Sequence, residues 1–165
     1  MKRVSRLLVF SLVLVFFLNG CNSTHVEGTE DLFQYKDSYV GDSGAVGNIL
    51  MQLPTPNGEQ RKGIELKTKK EPYGIISNYI ASETTDNVKL NYRELALYNA
   101  TFVLGLVKNA DWITFNFAEQ SFYVTREDLE SFYGKDIRQF SNEEELGMFI
   151  QEHLEDEDKV NQFLN

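Results

Sequence analysis

The sequence predicts an α+β domain: an antiparallel sheet of two hairpins separated by a buried helix, with further helices at the C-terminal end. Residues 63–80 and 112–124 have the alternation and turn residues of β-hairpins. Between them, residues 91–108 carry apolar side chains around most of a helix. Capping motifs for shorter helices follow from residue 125 onward. Helices stacked on one or both faces of such a sheet would bury these apolar surfaces together.

The first predicted helix is capped by Asp42 or Ser43 and ended by Pro54. Its apolar residues recur at helical spacing: Val46, Ile49, Leu50 and Leu53. Residues 55–60 are expected to form a loop. Residues 63–69 then alternate as a half-buried strand, a turn follows at residues 71–74, and residues 75–80 return as the partner strand.

The central helix begins with a capping pattern, in which Asn91 caps and Glu94 lies three residues on. It is predicted to reach about Lys108 and to be nearly buried, with Phe102 in its middle.

In the second hairpin, residues 118–120 turn and five side chains are expected on the core face: Ile113, Phe115, Phe117, Phe122 and Val124. Trp112 and Tyr123 alternate away from them and share the opposite face. We expect the C-terminal helices to cover this pair, since coverage of both sheet faces is ordinary. The alternative is an aromatic docking surface that binds a ligand.

Three helices are predicted to follow. Thr125 with Asp128 caps the first, and Ser141 with Glu144 forms a capping box for the second, which runs to about His153. A last short helix would use Val160, Phe163 and Leu164.

The N-terminus has the pattern of an export signal, with three cations and then an apolar run over residues 7–18 that is too short for a membrane span of about 20 residues. Leu18, Gly20 and Cys21 resemble the lipobox of bacterial lipoproteins, in which Asn19 is less usual. That resemblance implies cleavage between Gly20 and Cys21 and lipidation of Cys21 by acyl chains such as palmitate. The predicted division is a signal peptide over residues 1–20, a lipidated flexible tether over 21–31, and a single domain over 32–165.

Composition narrows the possible functions. Removal of residues 1–20 takes away three cations and no acids, which moves the formal charge from −9 to −12. Such an acidic chain is a poor binder of nucleic acid, whose affinity rests on cationic contacts to phosphate. Cys21 is the single cysteine, so a lipidated chain has no thiol left for a disulfide or a cysteine metal cluster.

No residues are selected as catalytic, and no metal or cofactor is expected. The two histidines, His25 and His153, lie in the tether and at an acidic helix end, which makes a Ser-His-Asp triad or a zinc site improbable. The acidic runs at residues 143–145 and 155–158 are typical of a helix start and a solvated face rather than a calcium site. A glycosidase with paired carboxylates stays open, because two of many acids can meet at about 5–10 Å.

Several blocks resemble the bacterial domain of unknown function 4825 across residues 32–153. They are residues 32–36, 39–42, 46–49, 69–74, 115–117 and 133–138. Members of that family occur in Firmicutes as lipoproteins, and some are attached to membrane metallopeptidases similar to antibiotic-sensing BlaR proteins. The resemblance implies an extracytoplasmic sensing or interaction module without established catalytic residues.

We therefore expect a non-catalytic module that faces outside the cytoplasm and is held on the cell membrane by the Cys21 lipid. Its partner would be a membrane or envelope protein or a small ligand, and not nucleic acid. The alternatives are a cell-envelope hydrolase that uses paired carboxylates, and an accessory subunit of a membrane complex.

Overall fold

A computed structural model describes residues 31–82 and 91–163, and the structural statements below refer to these ranges. The elements in chain order are a 3-10 helix (Leu32–Tyr35), α1 (Ser43–Gln52), β1 (Glu59–Lys67), β2 (Gly74–Ala81), α2 (Tyr92–Leu106), β3 (Trp112–Asn116), β4 (Ser121–Thr125), α3 (Arg126–Tyr133), a second 3-10 helix (Ile137–Gln139), α4 (Glu143–Leu154) and α5 (Glu157–Phe163). The predicted α+β class, with helices at the C-terminal end, is confirmed.

The four strands form one sheet in the order β1-β2-β3-β4. The two outer pairs are antiparallel hairpins, as predicted. The central pair, β2 with β3, is parallel, so the expectation of a wholly antiparallel sheet is wrong at its centre. The reason is the connection through α2, which returns the chain to the end where β2 begins and sets Trp112 beside Gly74.

β1 is longer than the sequence predicted. It begins at Glu59, where a loop was expected, because Glu59 pairs with Ala81 at the far end of β2. It ends at Lys67 rather than at residue 69. The ladder shifts register between Arg61 and Gly63, so one extra residue is inserted into this edge strand.

The central helix α2 is capped by Asn91, whose side chain accepts a hydrogen bond from the Glu94 backbone N–H at 3.4 Å. The helix ends at Leu106, two residues earlier than predicted, because Val107 has an extended backbone. Most of its side chains are buried, and Phe102 is 1% exposed. The prediction of a nearly buried central helix is therefore confirmed.

α2 holds the layers together. On one side it contacts β3 and β4, and on the other sides it contacts α1, α4 and α5. The sheet presents a ladder of fully buried side chains to the helices, in which Ile113 is in register with both Ile75 and Val124. This core extends into the helical layer through residues such as Leu97 and Ile150.

Local capping sets the shorter helices. Asp42 caps α1, and Thr125 with Asp128 forms the predicted capping box of α3. Gly134 ends α3 with a left-handed backbone at φ 66°, a conformation that favours glycine. The predicted cap of α4 is wrong by one residue, since Asn142 rather than Ser141 accepts from the Glu145 N–H at 2.8 Å.

The two chain ends are only partly described. Leu32 is buried and its N–H donates to the Glu143 carboxylate at 2.7 Å, which ties the domain's first residues to α4. The predicted signal peptide and tether, up to residue 30, lie outside the described residues, as does Leu164. Among the helices of the two described ranges, none combines the length and apolar character of a membrane span.

Candidate binding face

One face of the sheet carries no helix among the described elements, and we call it the open face. The helices with the most extensive strand contacts are α2 and α3, and the fully buried side chains of the strands lie on the α2 side. The open face consists of the alternate residues of each strand: Gln60, Gly63, Glu65, Lys67, Gly74, Ile76, Asn78, Ile80, Trp112, Thr114, Asn116, Ser121, Tyr123 and Thr125.

Trp112 is fixed on this face by two contacts. Its indole ring lies directly over Gly74, so closely that a Cβ at Gly74 would fall 2.0 Å from the ring. Its Nε1–H donates to the carbonyl of Pro72 at 3.1 Å. Because Gly74 has no side chain, the ring lies flat against β2 and is half-buried.

Tyr123 lies beside Trp112, with 5.6 Å between the ring centroids. The prediction that these two side chains share the face opposite the core is therefore confirmed. The expectation that the C-terminal helices cover them is wrong, because Tyr123 is 57% exposed. The helices α4 and α5 instead pack on α2, on the other side of the sheet.

A row of polar side chains crosses all four strands at the other end of the open face. Ser121 donates to Asn116 at 2.7 Å, and Asn116 donates to Asn78 at 2.8 Å. Asn78 donates in turn to Glu65 at 3.4 Å, and Lys67 pairs with Glu65 at 2.7 Å. The hydrogen bond from Lys67 is the main cause that lowers the pKa of Glu65 below its ordinary value.

The bulge of β1 leaves a depression next to this polar row. Gly63 lies opposite Asn78, and a Cβ at Gly63 would meet open space. The depression has a volume of about 460 Å³ and is lined in part by Glu65, Asn116 and the exposed Ile80. The open face is therefore concave beside the polar row.

Arg126 has a structural role that the sequence did not reveal. Its guanidinium donates to the carbonyls of Leu104, Val107, Lys108 and Ala110, where α2 ends and the chain enters β3. Burial lowers the pKa of Arg126 from its ordinary value. The partners lie 16–22 residues away in sequence, so no local pattern would have predicted the contact.

His153 and the acidic runs singled out by the sequence belong to the helical layer. His153 contacts the rings of Phe132, Tyr133 and Phe149, and its Nδ1 is 2.8 Å from the Phe149 carbonyl oxygen. The acidic runs lie at the start of α4 and around the start of α5. In the described ranges, no three His, Cys, Asp or Glu side chains are placed to hold a metal ion.

The sequence-predicted site residues thus divide into two groups. Trp112 and Tyr123 lie together on the open face. The polar row and Gly63 lie on the same face, and no sequence pattern had singled them out. Gly20 and Cys21 lie outside the described residues.

The structure defines an α+β domain with one helix-covered sheet face and one open sheet face that bears the Trp112–Tyr123 pair. The chain belongs to the family described as Domain of unknown function (DUF4825), whose sequence profile matches residues 32–127. That range contains α1, α2 and the whole sheet, so every residue of the open face lies within it. The resemblance was expected to reach residue 153, but the block at residues 133–138 lies beyond the match.

Comparison with curated proteins finds no match, and neither does comparison with solved structures.

Proposed function

We propose that this chain is an extracytoplasmic lipoprotein, held on the cell membrane through Cys21, and that its domain is a non-catalytic interaction module whose contact surface is the open face. One observation carries the choice of surface. Trp112 is fixed against Gly74, and Tyr123 stands exposed beside it, on the sheet face that no described helix covers. An aromatic side chain that is already ordered loses little conformational entropy when a ligand covers it.

The anchoring part rests on the sequence alone. Two acyl chains suffice for stable membrane attachment, since each buried CH₂ contributes about 0.8 kcal/mol. Leu32, only eleven positions after Cys21, is buried in the domain, so a lipid on Cys21 would hold the domain close to the membrane surface.

The hydrolase alternative receives no support from the two described carboxylates whose pKa is shifted, those of Glu65 and Asp136. A general acid needs a pKa raised toward neutrality. The pKa of Asp136 is instead lowered, chiefly by its hydrogen bonds from the Arg138 guanidinium, and the pKa of Glu65 is lowered by Lys67. We therefore propose an interaction module rather than an enzyme.

Site-specific photocross-linking in native membranes tests this function. A photoreactive residue at position 123 should form covalent adducts with an envelope component, and the yield should fall when Cys21→Ala releases the protein from the membrane. Position 148 is the matched control, because Met148 is 60% exposed but lies on α4, in the helical layer. Equal yields from positions 123 and 148 would contradict the open face as the contact surface.

Metabolic lipid labelling tests the anchor separately. The parent chain should incorporate labelled palmitate, and Cys21→Ala should not. If Cys21→Ala stays in the membrane with the same mass and label, the lipoprotein assignment is wrong.

A further inference from the structure

We propose that the open face binds a neutral oligosaccharide, with a sugar ring on the Trp112–Tyr123 pair and neighbouring hydroxyls on the polar row beside the Gly63 depression. This inference rests on the proposed function, because it names the ligand class of the same surface. Charge, aromatic geometry, hydrogen-bonding capacity and dimensions each contribute to it.

The charge of the open face favours an uncharged ligand. The chain as a whole has a formal charge of −9, but Glu65 and Lys67 of the open face are paired with each other, and the exposed Lys62 of the bulge lines the depression. The acidic runs around the starts of α4 and α5 belong to the helical layer. A strongly anionic ligand would meet the Glu65 carboxylate in the depression, with Lys62 beside it as a single cation, and a cationic ligand would have to compete with Lys67 for Glu65.

The aromatic pair suits the apolar side of a sugar ring. A pyranose has one face of C–H groups, and such groups pack on the negatively polarised face of an aromatic ring. Trp112 is held against Gly74 and the Pro72 carbonyl, so its orientation does not depend on the ligand. Tyr123 offers a large exposed ring next to it, and it brings a hydroxyl to the same place.

The polar row suits groups that both donate and accept hydrogen bonds. Asn78 and Asn116 each donate one hydrogen bond and accept one within the row, which fixes the orientation of both amides. Each amide nitrogen carries a second hydrogen and each amide oxygen a second lone pair, so both kinds of capacity remain. Sugar hydroxyls use both, whereas an apolar ligand would leave these groups unpaired at a cost.

The dimensions fit a short chain of sugars rather than a single one. Trp112 and Asn116 are four residues apart on β3, which places them about 13 Å apart along the strand. The depression of about 460 Å³ lies beside Asn116, at the end of the face away from Trp112. A ligand that reaches both regions must extend across several rings.

Calorimetric titration of the purified full-length protein in detergent tests the proposal. The probes are cellotetraose and chitotetraose, which are both uncharged and differ in their N-acetyl groups. At least one should bind, with an affinity that changes little between low and high salt, because no ion pair with the ligand is involved.

Two substitutions should weaken binding without disturbing the core. Tyr123→Ala removes an exposed ring, and we expect about a tenfold loss of affinity. Gly63→Leu fills the depression, where a side chain has open space, and should weaken binding to a similar degree. The matched controls are Met148→Ala and Gly147→Leu on α4, and both should bind like the parent.

Two results overturn the proposal. Failure of both tetrasaccharides to bind would exclude the neutral oligosaccharide, as would unchanged affinity in both open-face variants. If the tetrasaccharides fail while position 123 still cross-links in native membranes to a protein, the interaction module stands with a protein partner instead. If binding is found but position 123 does not cross-link, the site exists while the proposed function at the membrane fails.

Discussion

Replacement of Arg126 by Met should destabilise the domain by about 2–4 kcal/mol. The substitution keeps an apolar stem of similar length but removes the donors to four backbone carbonyls at the end of α2. A buried carbonyl left unpaired costs about 1–3 kcal/mol, and water that reaches this partly exposed position will recover some of the loss. The effect is a large part of the roughly 5–15 kcal/mol that stabilises a domain.

Urea unfolding of the full-length chain, followed by far-UV circular dichroism, measures this effect. Arg126→Lys should lose about half as much stability as Arg126→Met. A lysine keeps the charge and three donors, but its compact ammonium replaces a planar guanidinium that has five. Arg93→Met is the control, since within the described ranges Arg93 makes one weak side-chain hydrogen bond, to Asn161 at 3.4 Å, and the change should alter stability by about 0.5 kcal/mol or less. If Arg126→Met unfolds within about 1 kcal/mol of the parent, the guanidinium does not hold the end of α2 as described.

Two further predictions concern the core. Phe102→Ala should cost about 3–5 kcal/mol because Phe102 is 1% exposed, whereas Lys67→Ala on the open face should cost about 0.5 kcal/mol or less. Burial raises the pKa of Tyr133 to about 12, so its neutral phenol stabilises the fold below the unfolded pKa near 10, and this contribution of about 2–3 kcal/mol is lost as the pH rises toward 12. Unfolding free energies across this range should fall less steeply for Tyr133→Phe.

Each of these two predictions would be refuted by a specific measurement. Equal melts for the Phe102→Ala variant and the parent, or greater damage from Lys67→Ala, would mean that the core is misplaced. For Tyr133, the variant also loses the 2.9 Å hydrogen bond between its hydroxyl and Thr101, so lower stability at neutral pH is expected and decides nothing. A pH dependence between about 10 and 12 that is identical in Tyr133→Phe and the parent would refute the assignment to this phenol.

The sequence predicted the elements best where local chemistry determines them. Asn91 and Thr125 cap their helices as expected, because a cap depends on a side chain and a backbone N–H three residues apart. The wrong prediction that Ser141 caps α4 also comes from reading this local pattern. Three successive glutamates follow, so both Ser141 and Asn142 have a glutamate at the capping distance, and the local pattern does not distinguish them.

Local sequence patterns do not determine how strands that are far apart in the sequence pair with each other. The alternation of β2 and β3 is the same whether the strands run parallel or antiparallel, and the direction follows from the route of the chain through α2. The early start of β1 likewise depends on partners far away in sequence. The carboxylate of Glu59 accepts hydrogen bonds from the Tyr92 hydroxyl at 2.7 Å and the Ala118 N–H at 3.2 Å.

The candidate site was predicted only in part, because its assembly also depends on long-range strand pairing. Strand alternation placed Trp112 and Tyr123 on one face, which is correct. Alternation says nothing about what covers that face, and the expected helices pack on α2 instead. The polar row joins side chains of four strands, from Glu65 on β1 to Ser121 on β4, so it becomes visible only once the strand order is known.

The position of Trp112 gives this domain an intrinsic optical probe of its own surface. It is the single tryptophan of the chain, and it lies on the open face rather than in the core. Its fluorescence emission therefore senses the hydration of that face, and a ligand that displaces water from the indole should shift the emission to shorter wavelength. Changes confined to the helical layer, such as those at Met148, should leave the emission unchanged until the whole domain unfolds.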